Sequence, residues 1–107
     1  MSTNEERTAL SQPDYVAPKG HRILLENDRV RVLEVRIKPG ETTEMHGHPA
    51  NVVYALSSAR VRFSFPDGSS REVGIKEGDI VWSDGGWHDV ANIGTTDDLG
   101  IIVELKR

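Results

Sequence analysis

From His21 onward the chain runs as short stretches of β-branched and other apolar residues, broken at regular intervals by Gly, Pro and Asp. That rhythm is the one expected of many short strands folded into a sandwich or barrel. It predicts strands over Arg22–Leu25, Arg29–Ile37, Thr42–His48, Asn51–Leu56, Arg60–Phe65, Ser70–Ile75, Ile80–Trp82, His88–Asn92 and Gly100–Leu105. The breaks have turn chemistry. Pro39-Gly40 fixes φ at one residue and frees it at the next, and Pro66-Asp67-Gly68 is a hairpin signal between two alternating runs. Glu77-Gly78-Asp79 and Asp84-Gly85-Gly86 interrupt the chain again. No stretch after residue 20 sustains a helical period, and no repeat or low-complexity segment is present.

Alternation then assigns faces. Along Arg60–Phe65, Val61, Phe63 and Phe65 share one side, with Arg60, Arg62 and Ser64 on the other. Along Val30–Ile37 the pattern is mixed. Leu33, Val35 and Ile37 lie on the side of Arg31, whereas Val30 and Val32 lie with Glu34 and Arg36. A strand partly buried on both faces, or a bulge, produces that pattern. Closing so many short strands into two sheets gives an all-β jelly-roll barrel, which protects most strand edges. Residues 1–20, with Pro13, Pro18 and Gly20, read as an N-terminal lead-in, and residues 21–107 as the single domain.

Composition narrows the functional classes. Thirteen basic against seventeen acidic residues leave a net charge of −4, with no basic run, so nucleic acid is not an expected partner. No cysteine is present, which removes disulfides and thiolate metal sites. The polar start, Met1 to Arg7, is not followed by an apolar signal core, and no run reaches membrane-spanning length. Cytoplasmic residence without membrane contact is the expectation.

Three of the four histidines carry the candidate chemistry. His46 and His48 are two apart in a predicted strand, so both imidazoles leave the same face with Cα atoms roughly 6.5–7 Å apart. Imidazoles so placed can converge on one ion at about 2.0–2.1 Å from each nitrogen. Gly47 between them crowds neither face, and His88 opens a later strand that an antiparallel pairing could bring to the same ion. A polar stripe on an exposed strand is the alternative reading of His46 and His48, and an ordinary surface or core histidine that of His88.

The context of these histidines resembles the two cupin motifs. Gly40-Glu41-Thr42-Thr43-Glu44-Met45-His46-Gly47-His48 is similar to the first half of the first motif, a glycine, five residues and HxH. Gly78 through Asn92 is similar to the second, in which a glycine opens a strand, a turn follows, and then a histidine and an asparagine four residues on, here His88 and Asn92. The resemblance extends over about residues 21–106. Asn27–Val35 and Asn51–Leu56 also look like the flanking strands of small single-domain bacterial cupins, closest to the β-alanine-degradation group. Two departures stand out. Ser83 and Asp84 occupy the place of the second motif's proline, and Val52 and Val53 occupy the positions of the usual glutamate ligand.

The resemblance therefore implies a cupin double-stranded β-helix with a three-histidine metal site at His46, His48 and His88. Three neutral imidazoles leave the full charge on a divalent ion and favour a small, anionic, chelating metabolite. They also leave positions for substrate and dioxygen, in parallel with non-haem iron sites. Fe2+ is the favoured metal and a dioxygenase-like oxidoreductase the favoured activity. Zn2+, Ni2+ and Mn2+ remain possible metals, and a zinc hydrolase or isomerase or a non-catalytic binding module the alternative functions. Glu44 has the parity of His46 and could be a ligand or base, or a solvated rim charge. Tyr54 could donate to a bound anion, or pack in the barrel wall. Arg31 is a candidate carboxylate clamp, or a strand-end arginine reaching solvent. Trp82 and Trp87 could wall a substrate pocket, and Asn92 supports the backbone after His88. His21 matches no motif position and is expected at the surface. By analogy with small cupins that pair through their sheets, a homodimer is expected.

Overall fold

The structure, a computed structural model, describes residues 17–106. The lead-in expected over residues 1–20 thus lies mostly outside the described residues. Strands are found over β1 (His21–Glu26), β2 (Val30–Ile37), β3 (His46–His48), β4 (Asn51–Ala55), β5 (Ala59–Ser64), β6 (Ser70–Ile75), β7 (Ile80–Ser83), β8 (Gly86–Asn92) and β9 (Asp98–Leu105). Every expected strand has its counterpart, with ends shifted by up to a few residues. The exception in length is Thr42–His48. There only His46–His48 forms the strand, and the earlier part is held to β8 by an isolated bridge between Thr42 and Ala91.

Two antiparallel sheets face each other, one ordered β1-β2-β9-β4-β7 and the other β3-β8-β5-β6. The chain crosses repeatedly between them, which is the double-stranded β-helix. The mixed pattern of β2 resolves as burial on both faces. Arg31, Leu33, Val35 and Ile37 are buried inward, while Val30, Val32 and Glu34 are half-buried outward. The pairing of β2 with β9 is regular from Val30↔Leu105 to Ile37↔Asp98. The register shift lies instead in β1, between Ile23 and Leu25.

Leu33, Val35 and Ile37 meet Val61, Val90 and Ile102 between the sheets to form the core. Leu33 and Val61 are wholly buried, each contributing about 1.5–3 kcal/mol of hydrophobic stabilisation. The turns behave as their glycines require. Gly40, Gly68, Gly78 and Gly85 all have positive φ, which costs glycine nothing.

Register also fixes what faces outward. Val53 packs against the core, so its neighbours Val52 and Tyr54 point to the outer face, opposite Trp82 and Ile80 of β7. The inward partner of Val53 is Val81, yet Val81 is 55% exposed. The inner side of the β7 edge is therefore left uncovered at Val81.

Candidate metal centre

The hydrogen-bonded pairing of β3 with β8 sets His46 directly opposite His88 and His48 opposite Gly86. On adjacent strands, an opposed pair and its i+2 neighbour share one face. The three rings accordingly lie side by side, with centroids 4.8 Å apart for His46–His48, 4.9 Å for His46–His88 and 5.3 Å for His48–His88, although the ligand atoms of His88 do not form a close group of three with those of His46 and His48. The strand of three residues places them, and Gly85 lets the chain turn into β8 beside them. A Cβ on Gly85 would lie 2.6 Å from the His48 carbonyl oxygen and 2.8 Å from the Pro49 carbonyl carbon, at a φ of +93°.

A fourth ring joins them. His21, expected at the surface, lies at the start of β1 opposite Val35, on the inner face. β1 and β3 are edge strands of the two sheets, and where the barrel closes between them the His21 ring comes 5.1 Å from His46 and 5.5 Å from His48. Ligand atoms of His21, His46 and His48 all lie within 4.8 Å of one another. Nothing local in the sequence marks His21, because its partners are contributed by a strand some 25 residues later.

Three of the four rings are oriented from behind. His46 Nδ1 lies 2.7 Å from the Glu44 carbonyl, His21 Nδ1 lies 3.1 Å from the Lys19 carbonyl, and His48 Nδ1 lies 2.5 Å from Glu104 Oε2. A backbone carbonyl oxygen only accepts, as does Glu104 when ionised, so in that state each of these Nδ1 atoms carries the proton and each Nε2 keeps its lone pair. The Nε2 atom of His46 is buried and has no hydrogen-bond partner among the described residues. A buried acceptor without a partner costs about 1–3 kcal/mol; a metal ion among the rings would relieve that cost. The donor set of neutral imidazoles with outer acceptors is the arrangement found around protein-bound divalent transition metals.

Burial keeps the imidazoles neutral. It pushes His48 and His88 down to about 3 and His21 to about 4, and it also lowers His46. The neighbouring imidazoles add to the effect at His48, His88 and His21, since a second positive charge in the same space is unfavourable. Neutral imidazole is the form that ligates.

Behind His48 lies a polar group that sequence reasoning missed. Glu104 is wholly buried and takes His48 Nδ1–H on one oxygen, while Arg31 Nη1 stands 3.4 Å from the other. Arg31 is itself 1% exposed, and its Nη2 reaches Glu26 Oε2 at 2.9 Å. Neither expected fate of Arg31 is thus realised. It is not at solvent, and its guanidinium is engaged with two carboxylates of this chain. Burial pushes Glu104 up to about 7, against the opposing pull of Arg31. Glu104 pairs with Asn51 across β4 and β9, so it stands one strand over from Val52 and Val53 and one hydrogen bond behind the His48 ring. A signal was available: Arg31 and Glu104 are charges of opposite sign set in the inward parity of two apolar strands.

The other candidates are placed elsewhere. Glu44 is exposed, its carbonyl serves His46, and its carboxylate accepts from the Lys19 amide at 3.3 Å. Tyr54 and Trp82 lie on the outer face of the five-stranded sheet, and Trp82 Nε1 donates to Asp84. Trp87 is opposite Gly47 and so points away from the side of its neighbour His88. Alternation alone separates these residues from the histidines, and neither tryptophan shares a strand face with them. Phe63 does approach the site, with its ring 5.1 Å from that of His88. Asn92 supports backbone as expected, donating to the carbonyls of Ile37 and Thr96.

Comparison with solved structures identifies the architecture. A cupin domain from Bordetella pertussis Tohama I superposes with a TM-score of 0.74 and 27% identity, over 81% of this chain and 92% of that one. The chain is a cupin by fold. A double-stranded β-helix protein from Klebsiella pneumoniae is 20% identical over 98% of this chain and 88% of its own, with a TM-score of 0.65. A cupin-family protein from Methanocaldococcus jannaschii is 15% identical over 89% and 85% of the two chains, with a TM-score of 0.64. No protein-family model matches the sequence, and no curated protein matches it.

Proposed function

We propose that this cupin holds one divalent ion on its buried histidines and acts on a small chelating anion there, as a dioxygenase-like oxidoreductase when the ion is iron(II). The observation that carries the reading is the buried Nε2 of His46, without a partner among the described residues and set among imidazoles whose Nδ1 atoms are tied outward. A bound divalent ion would supply Lewis acidity, open positions for a chelating ligand and, with iron, the chemistry of dioxygen. The residues supply the rest. His46 and His48, central to the cluster, are ligands, with His88 and His21 on either side of that pair. Glu104 orients His48, and its charge faces the ion from one bond further out, where it moderates the excess positive charge without occupying a ligand position. Within the superfamily we propose the β-alanine-degradation type, a reading supported only by the likeness of Asn27–Val35 and Asn51–Leu56 to the flanking strands of those small cupins.

A second reading follows from the fourth histidine. Four nitrogen ligands complete a tetrahedral zinc ion and leave no open position, which describes a binding or structural site.

Elemental analysis of protein purified without chelators, repeated on the His21→Ala, His46→Ala, His48→Ala and His88→Ala variants, separates these readings. Iron near one equivalent, lost in His46→Ala and His48→Ala, supports the enzyme, and oxygen uptake with diketones or thiols then follows. Zinc that needs all four histidines supports the closed site. Folded protein that takes up no metal on reconstitution removes both.

A further inference from the structure

The inner face of the four-stranded sheet contains a cation that the histidine cluster does not use. β6 pairs with β5 in the register Val61↔Val73 and Phe63↔Arg71. Val61 is wholly buried inward, so Phe63, Val73 and Arg71 share the inner face. The other arginines of this hairpin, Arg60 and Arg62, face outward and pair with Glu72. Arg71 has no ion pair or hydrogen bond among the described residues, and it is exposed.

Its position along the strand matters. β6 and β7 are joined by a short turn over residues 76–79, so Arg71 and Ser83 lie at the ends of their strands away from that turn. Ser83 pairs with Asn51, and Asn51 pairs with Glu104. Arg71 is therefore at the end of the barrel where Glu104 backs His48, on the side where Val81 is uncovered. Between Arg71 and the cluster stands Phe63, cross-strand from Arg71 and in ring contact with His88. Neighbouring strands are about 4.8 Å apart, so β6 lies about 10 Å from β8, a gap that an extended arginine largely spans.

Resting on the metal-site reading above, we propose that Arg71 anchors a second anionic group of the substrate, which is a small acid with one end chelating the metal, an apolar middle against Phe63 and a distal carboxylate on Arg71. The inner face offers the matching sequence of chemistries: ligand nitrogens, an aromatic ring beside His88 and an exposed guanidinium on the next strand. A guanidinium meets a carboxylate with two parallel hydrogen bonds, and the apolar floor excludes water from one side of that pair.

The test uses the full chain loaded with cobalt(II), whose visible spectrum reports ligands entering the metal sphere. Two probes share a chelating 2-oxo-acid head and a five-carbon chain: 2-oxoglutarate carries the distal carboxylate and 2-oxopentanoate lacks it. The wild type should bind the diacid at least about tenfold more tightly, the range of a charge-assisted hydrogen bond at a partly exposed site. Arg71→Gln should remove that preference while leaving cobalt affinity and 2-oxopentanoate binding unchanged, and Arg71→Lys should restore part of it. Arg60→Gln, which removes an equal charge from the outer face, should change nothing. Equal affinity of the wild type for both acids, a preference that survives Arg71→Gln, or a spectrum that neither acid moves would overturn the proposal while the metal reading stands. A wild type that takes up no cobalt would overturn the metal reading, and the Arg71 subsite with it.

Discussion

The buried histidines make the metal-free protein acid-labile, and the size of the effect follows from the site. An imidazole titrates near 6.5 once the chain unfolds, but burial holds His21 near 4 and His48 and His88 near 3 in the fold. Below pH 6.5 the unfolded chain therefore binds protons that the folded chain refuses, and stability falls as pH falls. Between pH 7 and pH 5 each of these three groups costs about 2 kcal/mol, at 1.36 kcal/mol per unit. His46 acts in the same direction. Two buried carboxyls oppose them. Glu104, raised to about 7, and Asp98, raised to about 6, take up protons in the folded state over the same interval. Their higher folded pKa values stabilise the fold as pH drops, by about 2 and about 1 kcal/mol. The balance is a loss of about 3 kcal/mol, a substantial part of a typical domain's 5–15 kcal/mol. Urea titrations of chelator-treated protein at the two pH values should show it, together with a fall in Tm of roughly 10–20 °C. His88→Gln, which cannot protonate, should shrink the pH 7 to pH 5 difference by about 2 kcal/mol whatever its absolute stability. Stability that is equal or greater at pH 5, or a difference unchanged in His88→Gln, would refute the argument.

Other expectations come from single contacts. Arg31→Met leaves the wholly buried Glu104 without its guanidinium and should cost about 3–5 kcal/mol at pH 8, less at pH 5 where the carboxyl is protonated; paired urea melts would show that narrowing. Gly85→Ala drives a Cβ into the backbone at His48 and Pro49 in a conformation unsuited to L-residues. It should destabilise by about 1–3 kcal/mol from strain alone and weaken metal uptake, measured by competition with a chromophoric chelator, whereas Gly40→Ala, with open space around it, should spare the metal. Leu33→Ala removes a wholly buried core side chain that offers no ligand atom and should cost about 2–5 kcal/mol in thermal or urea unfolding, with metal stoichiometry intact.

The fold was legible because its information is local. Period-two alternation, as at Val61 and Phe63, and turn glycines such as Gly40 and Gly68 specify strand, face and reversal within a few residues. The pairing of His46 and His48 on one face is equally local, because two residues along a strand return to the same side. The shortening of β3 to His46–His48 was not legible, since a strand's ends depend on which neighbour its backbone finds.

What the sequence by itself determined about this protein is the set of β-strands, the shared parity of Arg31, Leu33, Val35 and Ile37, and a histidine pair able to share an ion. Only the tertiary structure decided the rest. It brought His21 beside His46 across the closing seam of two sheets, buried Glu104 between His48 and Arg31, turned Tyr54 and Trp82 to the outer face, and left Arg71 on the inner one. The physical reason is that parity says which residues share a side of one strand, whereas sheet order and register say which strands share a space. Those are set by non-local pairing and by the joint burial of a core, and no short window of sequence contains both partners.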